Sequence, residues 1–154
     1  MRIMSENTIP DFYRLLTEQV GDALVCAGPD GKITAWNRAA ESLFGHSKAE
    51  AIGQSLDLII PERLRAAHWA GFDRAMALGA VQPGRKAMIT RALTRAGDAI
   101  YVEMSFAVVC DDSGKAIGAV AMARDATQRH LGDKALRERL AALEKLNPGA
   151  DDRA

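Results

Sequence analysis

An α+β fold is what this 154-residue chain predicts: a five-stranded antiparallel sheet with short helices on one face and a flanking helix at each end. Three observations predict it. Apolar residues recur at helical spacing near both ends and in the middle of the chain. A hairpin signal follows the first helical stretch. The second half then changes to three strand-like segments joined by tight turns. Two strands and three strands complete one sheet, and the space between helices and sheet is the natural ligand site of such a layered fold. The expected organisation is an amphipathic helix over 1–20, a core domain over 21–127, and a C-terminal amphipathic helix with a frayed tail over 128–154.

The elements follow in order. TIPDFYRLLTEQV (8–20) opens with Thr8 as N-cap and Pro10 in the first turn, where a missing N–H matters little. Phe12, Leu15, Leu16 and Val20 then mark one apolar face. DALVCAGPDGKITAWN reads as a β-hairpin around GPDG, since Pro29 presets φ and Gly31 tolerates positive φ. Ala39, Ala40, Leu43 and Phe44 mark a short helix stopped by Gly45. Ser47 and Glu50 have capping-box spacing before a stop at Gly53. DLIIPERLRAAHWAGFDRAMALG has Pro61 near its first turn and Gly79 as its stop. Strands are expected at Lys86–Thr94, Ala99–Cys110 and Ala116–Arg124, joined by RAGD and DDSG into an antiparallel meander. In QRHLGDKALRERLAALEKL, Leu136, Leu140, Leu143 and Leu146 fall on one side of a helix.

Composition removes several function classes. Hydrophobic residues make up 48% and charged residues 26%, ordinary for a globular chain. Lys+Arg and Asp+Glu stand at 20 each, so no net field recruits nucleic acid or an anionic membrane, and neither is an expected partner. There is no apolar leader and no apolar run long enough to span a bilayer, so the expected location is cytoplasmic. Cys26 and Cys110 are far apart and read as small apolar strand residues, not as a metal framework. No nucleophile–base pair or carboxylate dyad stands at useful spacing, so no enzyme is expected.

Two stretches carry a family resemblance. Asn37, Ala39, Glu41, Leu43, Phe44 and Gly45 form an N-x-A-x-E-x-L-F-G run, and Arg124-Asp125-Ala126-Thr127 closes the last strand. With TRAGDAIYVEMS between them, the chain resembles a PAS sensor domain over roughly residues 15–130. The resemblance implies the PAS fold, which agrees with the element order above, and a sensory role. It also implies that Arg124 and Asp125 couple the sheet to the exit helix, through a salt bridge to the helical region.

The sub-type rests on IPERLRAAHWAGF. Pro61, Glu62, Arg65 and His68 resemble the helix that carries the proximal heme histidine of FixL-type oxygen-sensing PAS domains. On that resemblance His68 is the axial ligand of a b-type heme, held non-covalently since no c-type attachment motif is present. Leu64, Phe72 and Met76 lie at −4, +4 and +8 from His68 and share its helix face. The distal side departs from the oxygen sensors. Their gas-contacting Arg falls, twenty positions on from His68 and nine back from Gly97, on Met88. Arg85, Lys86 and Arg91 are near that position without occupying it. Met104 and Phe106 on the following strand take the places of apolar distal residues. A Met thioether can ligate heme iron, so Met88 is a second metal-ligand candidate or a distal lid, pointing to CO, NO or redox state more than to stable O2 binding.

Other readings stand beside this one. His68 on a heme-free PAS helix would be a half-buried, hydrogen-bonded residue. His46, after Gly45, and His130, in the exit segment, are expected at the surface. A flavin photoreceptor of the LOV type needs a reactive Cys in an Asn-Cys-Arg-Phe-Leu-like helix, which is missing. The flanking helices would bury their stripes against the sheet or against a second copy, giving a homodimer that passes a signal to an effector such as a histidine kinase. No effector segment follows, so the chain is expected to be either a piece of a longer protein or a PAS protein acting through a partner. The alternative to a heme-based sensor is a heme-free dimerisation and protein-interaction module, or a sensor of another small ligand.

Overall fold

The computed structural model describes residues 8–80 and 86–146. Helix α1 (Thr8–Gln19) leads into the hairpin β1 (Ala23–Ala27) and β2 (Ile33–Trp36). Two short helices follow, α2 (Arg38–Phe44) and α3 (Lys48–Ala51), then a 3₁₀ turn at Leu56–Leu58 and the long α4 (Glu62–Leu78). Strands β3 (Met88–Leu93), β4 (Ala99–Cys110) and β5 (Ala116–Asp125) complete the sheet, and α5 (Thr127–Leu146) leaves it. The five strands run in the order β2-β1-β5-β4-β3, every neighbouring pair antiparallel. The fold class read from the periodicities is the one found. Strand β3 starts two residues later than expected, at Met88, and the RKA run before it includes Arg85, which lies outside the described residues, as does the expected frayed tail.

Local chemistry explains the turns. Gly31 and Gly45 adopt φ of 72° and 80°, left-handed geometry that a side chain would resist. Ser47 and Glu50 form the full capping box at α3.

The densest packing lies at the β1/β2 end. Trp36, Phe44 and Ile33 are essentially inaccessible there, and the Trp36 and Phe44 rings meet at 5.3 Å. Asn37 ties this end together at 2% exposure. Its Oδ1 accepts from the backbone N–H of Leu24 and Ala40, both at 2.9 Å. Its Nδ2 donates to the carbonyls of Thr17 and Asp22 at 3.0 and 2.9 Å. One side chain thus caps α2 and joins it to α1 and β1, with every hydrogen-bonding position filled.

The outer helices are bare by contrast. Phe12, Leu15 and Leu16 on α1, and Leu136, Leu140, Leu143 and Leu146 on α5, are all exposed. The expected burial of these stripes against the chain's own sheet does not occur: α5 diverges from the sheet after its first turn, where Arg129 pairs with Glu103 at 3.0 Å. Among the described residues no helix is long and apolar enough to cross a membrane.

Candidate functional site

The start of α4 is clamped to the turn before it. Arg65 donates from Nε to the Ile60 carbonyl at 3.1 Å and from Nη2 to the Asp57 carbonyl at 3.2 Å. One turn on, Trp69 donates from Nε1 to Asp57 Oδ1 at 2.9 Å. The Trp69 ring covers Gly31 so closely that a Cβ there would stand 2.3 Å from its Cη2 atom. The Leu93 N–H in turn bonds the Ile59 carbonyl at 2.9 Å, linking β3 to the same turn. Arg65 and Trp69 therefore fix the axial position and rotation of α4 on either side of His68.

His68 sits half-buried between Trp69, edge-on at 5.0 Å, and Phe72, whose ring lies 6.1 Å away at a shallow angle. Its Nδ1 is buried and makes no hydrogen bond among the described residues. Burial pushes the imidazole below its ordinary value of 6.5, and the Asp57 carboxylate opposes that only in part. The ring is thus held neutral near pH 7, with a nitrogen left unsatisfied.

That ring borders a cavity of about 330 Å³ between α4 and the sheet. Val25, Ala27, Ile59, Ile60, Ala92, Ala119 and Ala121 supply much of its apolar wall. Of the seven cofactor-site candidates, Leu64, His68, Phe72, Met88, Met104 and Phe106 all line it. Met76 does not, although it is half-buried. Eight residues on from His68 it lies about 12 Å down the helix axis and is rotated by roughly 80° from that residue's direction, past the end of the cavity. Met88 and Met104 are partners in the β3–β4 register, and Met88 remains 41% exposed at the start of its strand. No cluster of three or more His, Cys, Asp or Glu side chains among the described residues is placed to hold a bare metal ion.

Several lining residues escaped the sequence reading. Thr90 stands two positions beyond Met88 on the same strand, and Arg91, named above only as a near neighbour of the distal position, lines the cavity beside it. Strand alternation could have pointed to Thr90, since it shares the Met88 face. The alanine wall from β1 and β5 carried no such signal, because small residues in a strand look alike on either face.

Other expectations resolve differently. Arg124 binds Asp22, just before β1, through Nε–Oδ1 at 2.5 Å and Nη2–Oδ2 at 2.9 Å, not a residue of the helical region. A two-pronged partner directly across the sheet end out-competes a distant one. The Asp125 carboxylate instead accepts the Thr127 N–H at 2.8 Å at the start of α5. His130, expected to be solvated, is half-buried and stacks on Tyr101 at 4.0 Å. His46 is also half-buried, its carbonyl accepting Trp36 Nε1 at 3.0 Å. Cys26 and Cys110 are free and lie in strands, as expected.

Comparison with known proteins bears on the whole of this architecture. The family described as "PAS fold" matches residues 17–131. Sensor protein FixL of Bradyrhizobium diazoefficiens is 38% identical over 55 residues, covering 36% of this chain and 11% of that protein. The chain spans about a tenth of the length of the curated relatives it matches. Among solved structures, a PAS domain from Colwellia psychrerythraea superposes with a TM-score of 0.68 at 24% identity, covering 78% of this chain and 98% of that one. An RNA-binding light-oxygen-voltage receptor superposes with a TM-score of 0.72 at 23% identity, covering 92% of this chain and 40% of that one. At such identities the structural likenesses speak for the fold.

Proposed function

The chain belongs to the PAS family, and from that premise we propose that this sensory domain holds a b-type heme through His68 and reports on a small gas or on redox state. The observation that carries the reading is the neutral, half-buried His68 ring at the wall of an apolar cavity, with a buried nitrogen that has no partner among the described residues. The resemblance of Pro61, Glu62, Arg65 and His68 to the FixL-type helix supports the same choice. Heme, when bound, supplies an iron that takes up a diatomic ligand or an electron.

The residues of the chain have distinct parts in this. Arg65 and Trp69 hold α4 in place, so that His68 meets the cavity at a fixed angle. Leu64 and Phe72 flank it on the helix face and exclude water. Met104 and Phe106 form the opposing wall, and Met88, at the open edge, is the sixth-ligand or lid candidate. A change at this wall acts on β3 and β4, and the Ala126 N–H to Tyr101 carbonyl bond ties β4 to the root of α5. Through that root the exposed leucine stripe would pair with a second copy and bias an effector such as a histidine kinase.

A second reading rests on size. About 330 Å³ is at the low end of the roughly 300–1,000 Å³ of small-molecule pockets, which favours a smaller apolar guest in a heme-free module. Hemin titration separates the two. Stoichiometric uptake with a sharp Soret band that is lost in His68→Ala is expected. Uptake indifferent to His68 gives the cavity to the smaller guest. In the loaded ferrous protein, Met88→Ala should convert a six-coordinate spectrum to a five-coordinate one, and an unchanged spectrum removes Met88 as ligand.

A further inference from the structure

The cavity beside His68 is almost wholly apolar, and its charges and its shape both narrow what it can hold. None of its lining side chains is a carboxylate or a lysine. Arg91 lines it, but the guanidinium is committed to Tyr101: Nη2 donates to the hydroxyl at 2.7 Å, and the group lies over the ring at 5.0 Å. A charged guest would be buried there without a counter-ion, which is strongly unfavourable. His68 makes the opposite demand. Its Nδ1 is buried and has no hydrogen-bond partner among the described residues, a need that a pure hydrocarbon cannot meet. On the helix wall the Phe72 ring stands beside His68, and on the sheet wall Ala92, Ala119 and Ala121 are short, so the space between suits a flat ring. An apolar cavity of roughly 150 Å³ already takes benzene. About 330 Å³ therefore has room for a substituted ring.

We propose that the cavity is a binding site for a small uncharged phenol, its ring lying between α4 and the alanine wall and its hydroxyl paired with Nδ1 of His68. This rests on the second reading above, the heme-free module with a smaller guest. A phenol is uncharged near pH 7, so it enters without an unpaired charge. The imidazole is neutral there too, because burial lowers its pKa, so one of its nitrogens carries a hydrogen and the other a lone pair. A hydroxyl both donates and accepts, and so meets Nδ1 in either tautomer. The Met104 thioether on the sheet wall is a favourable neighbour for a ring edge. A hydrocarbon of the same shape leaves Nδ1 stranded, and a carboxylate of the same shape brings a bare charge.

The test titrates the full heme-free chain with three probes of similar shape: para-ethylphenol, para-ethyltoluene and para-ethylbenzoate. Calorimetry gives the affinities, and nitrogen NMR of histidine-labelled protein follows the His68 Nδ1 resonance. The phenol should bind about tenfold more tightly than the hydrocarbon, the worth of one hydrogen bond to a group otherwise left bare. The benzoate should not bind, and Nδ1 should shift with the phenol alone. In His68→Leu the hydrocarbon should still bind, which shows an intact cavity, and the phenol should lose its tenfold advantage. Equal affinities for phenol and hydrocarbon in the wild type, an advantage that survives His68→Leu, or an unmoved Nδ1 resonance overturns the hydroxyl contact and leaves the smaller guest standing. Binding of neither phenol nor hydrocarbon overturns the smaller guest as well, so the two failures are distinguishable.

Discussion

Two regions of the molecule are built to different standards. At the β1/β2 end, Trp36, Phe44 and Asn37 fill space and satisfy every polar atom they bury. From β1 and β5 across to β3, α4 stands off the sheet over a cavity, with an imidazole nitrogen unsatisfied among the described residues on one wall and a half-exposed methionine at the rim. Packed interiors seldom leave such a gap beside an unpartnered polar atom. The difference separates a region packed solid from a region that keeps an open cavity.

Substitutions should respect that division. Phe44→Ala, in the filled end, is expected to cost about 3–5 kcal/mol, as measured by chemical denaturation. Asn37→Ala should follow at roughly 2–4 kcal/mol, because it strands buried backbone groups and removes the α2 cap. Gly31→Ala tests the link between the two regions. It sets a Cβ into the Trp69 ring at a φ of 72°, and should cost about 1–2 kcal/mol and free α4 from its clamp. A larger loss at His68 than at Phe44 would break the contrast.

His68→Leu should be close to neutral at pH 8, and it carries a pH signature. Burial lowers the folded-state pKa of His68 below 6.5, so the unfolded chain binds the extra proton first as the pH falls. Stability is therefore lost as pH drops below 6.5 toward the lowered folded value, and His68→Leu should flatten that part of the stability curve. The smallest effect belongs to Asp22→Asn, which removes the half-buried partner of the exposed Arg124 and should matter mainly at low salt.

The fold was legible because its signals are local. The hairpin turn at GPDG, the Gly45 stop, the Ser47–Glu50 box and the period change after α4 each specify an element without help from the rest of the chain. The helix wall of the cavity was legible for the same reason, since Leu64, His68 and Phe72 are one turn apart. Met76 shows where that reasoning ends, because a stripe drifts around the helix while a cavity stays put. The strand wall was only half legible. Met88 follows from counting and Met104 and Phe106 from the family resemblance, but Thr90 and the alanines of β1 and β5 become cavity wall only once the strand order is known. Arg124 was misassigned for a related reason: Asp22 is 102 residues away in the chain and meets it only across the β1–β5 pairing.

Under the proposed function, the imidazole of His68 would hold an iron porphyrin in this cavity. Chemical rescue tests it most directly. His68→Gly is titrated with hemin in the absence and presence of free imidazole, and the spectrum is compared with that of the loaded wild type. Weak, non-specific uptake is expected without imidazole, with return of the wild-type Soret band when imidazole is added. A wild type that shows no defined Soret band, or a glycine variant that matches the loaded wild type without imidazole, would rule out heme held through His68.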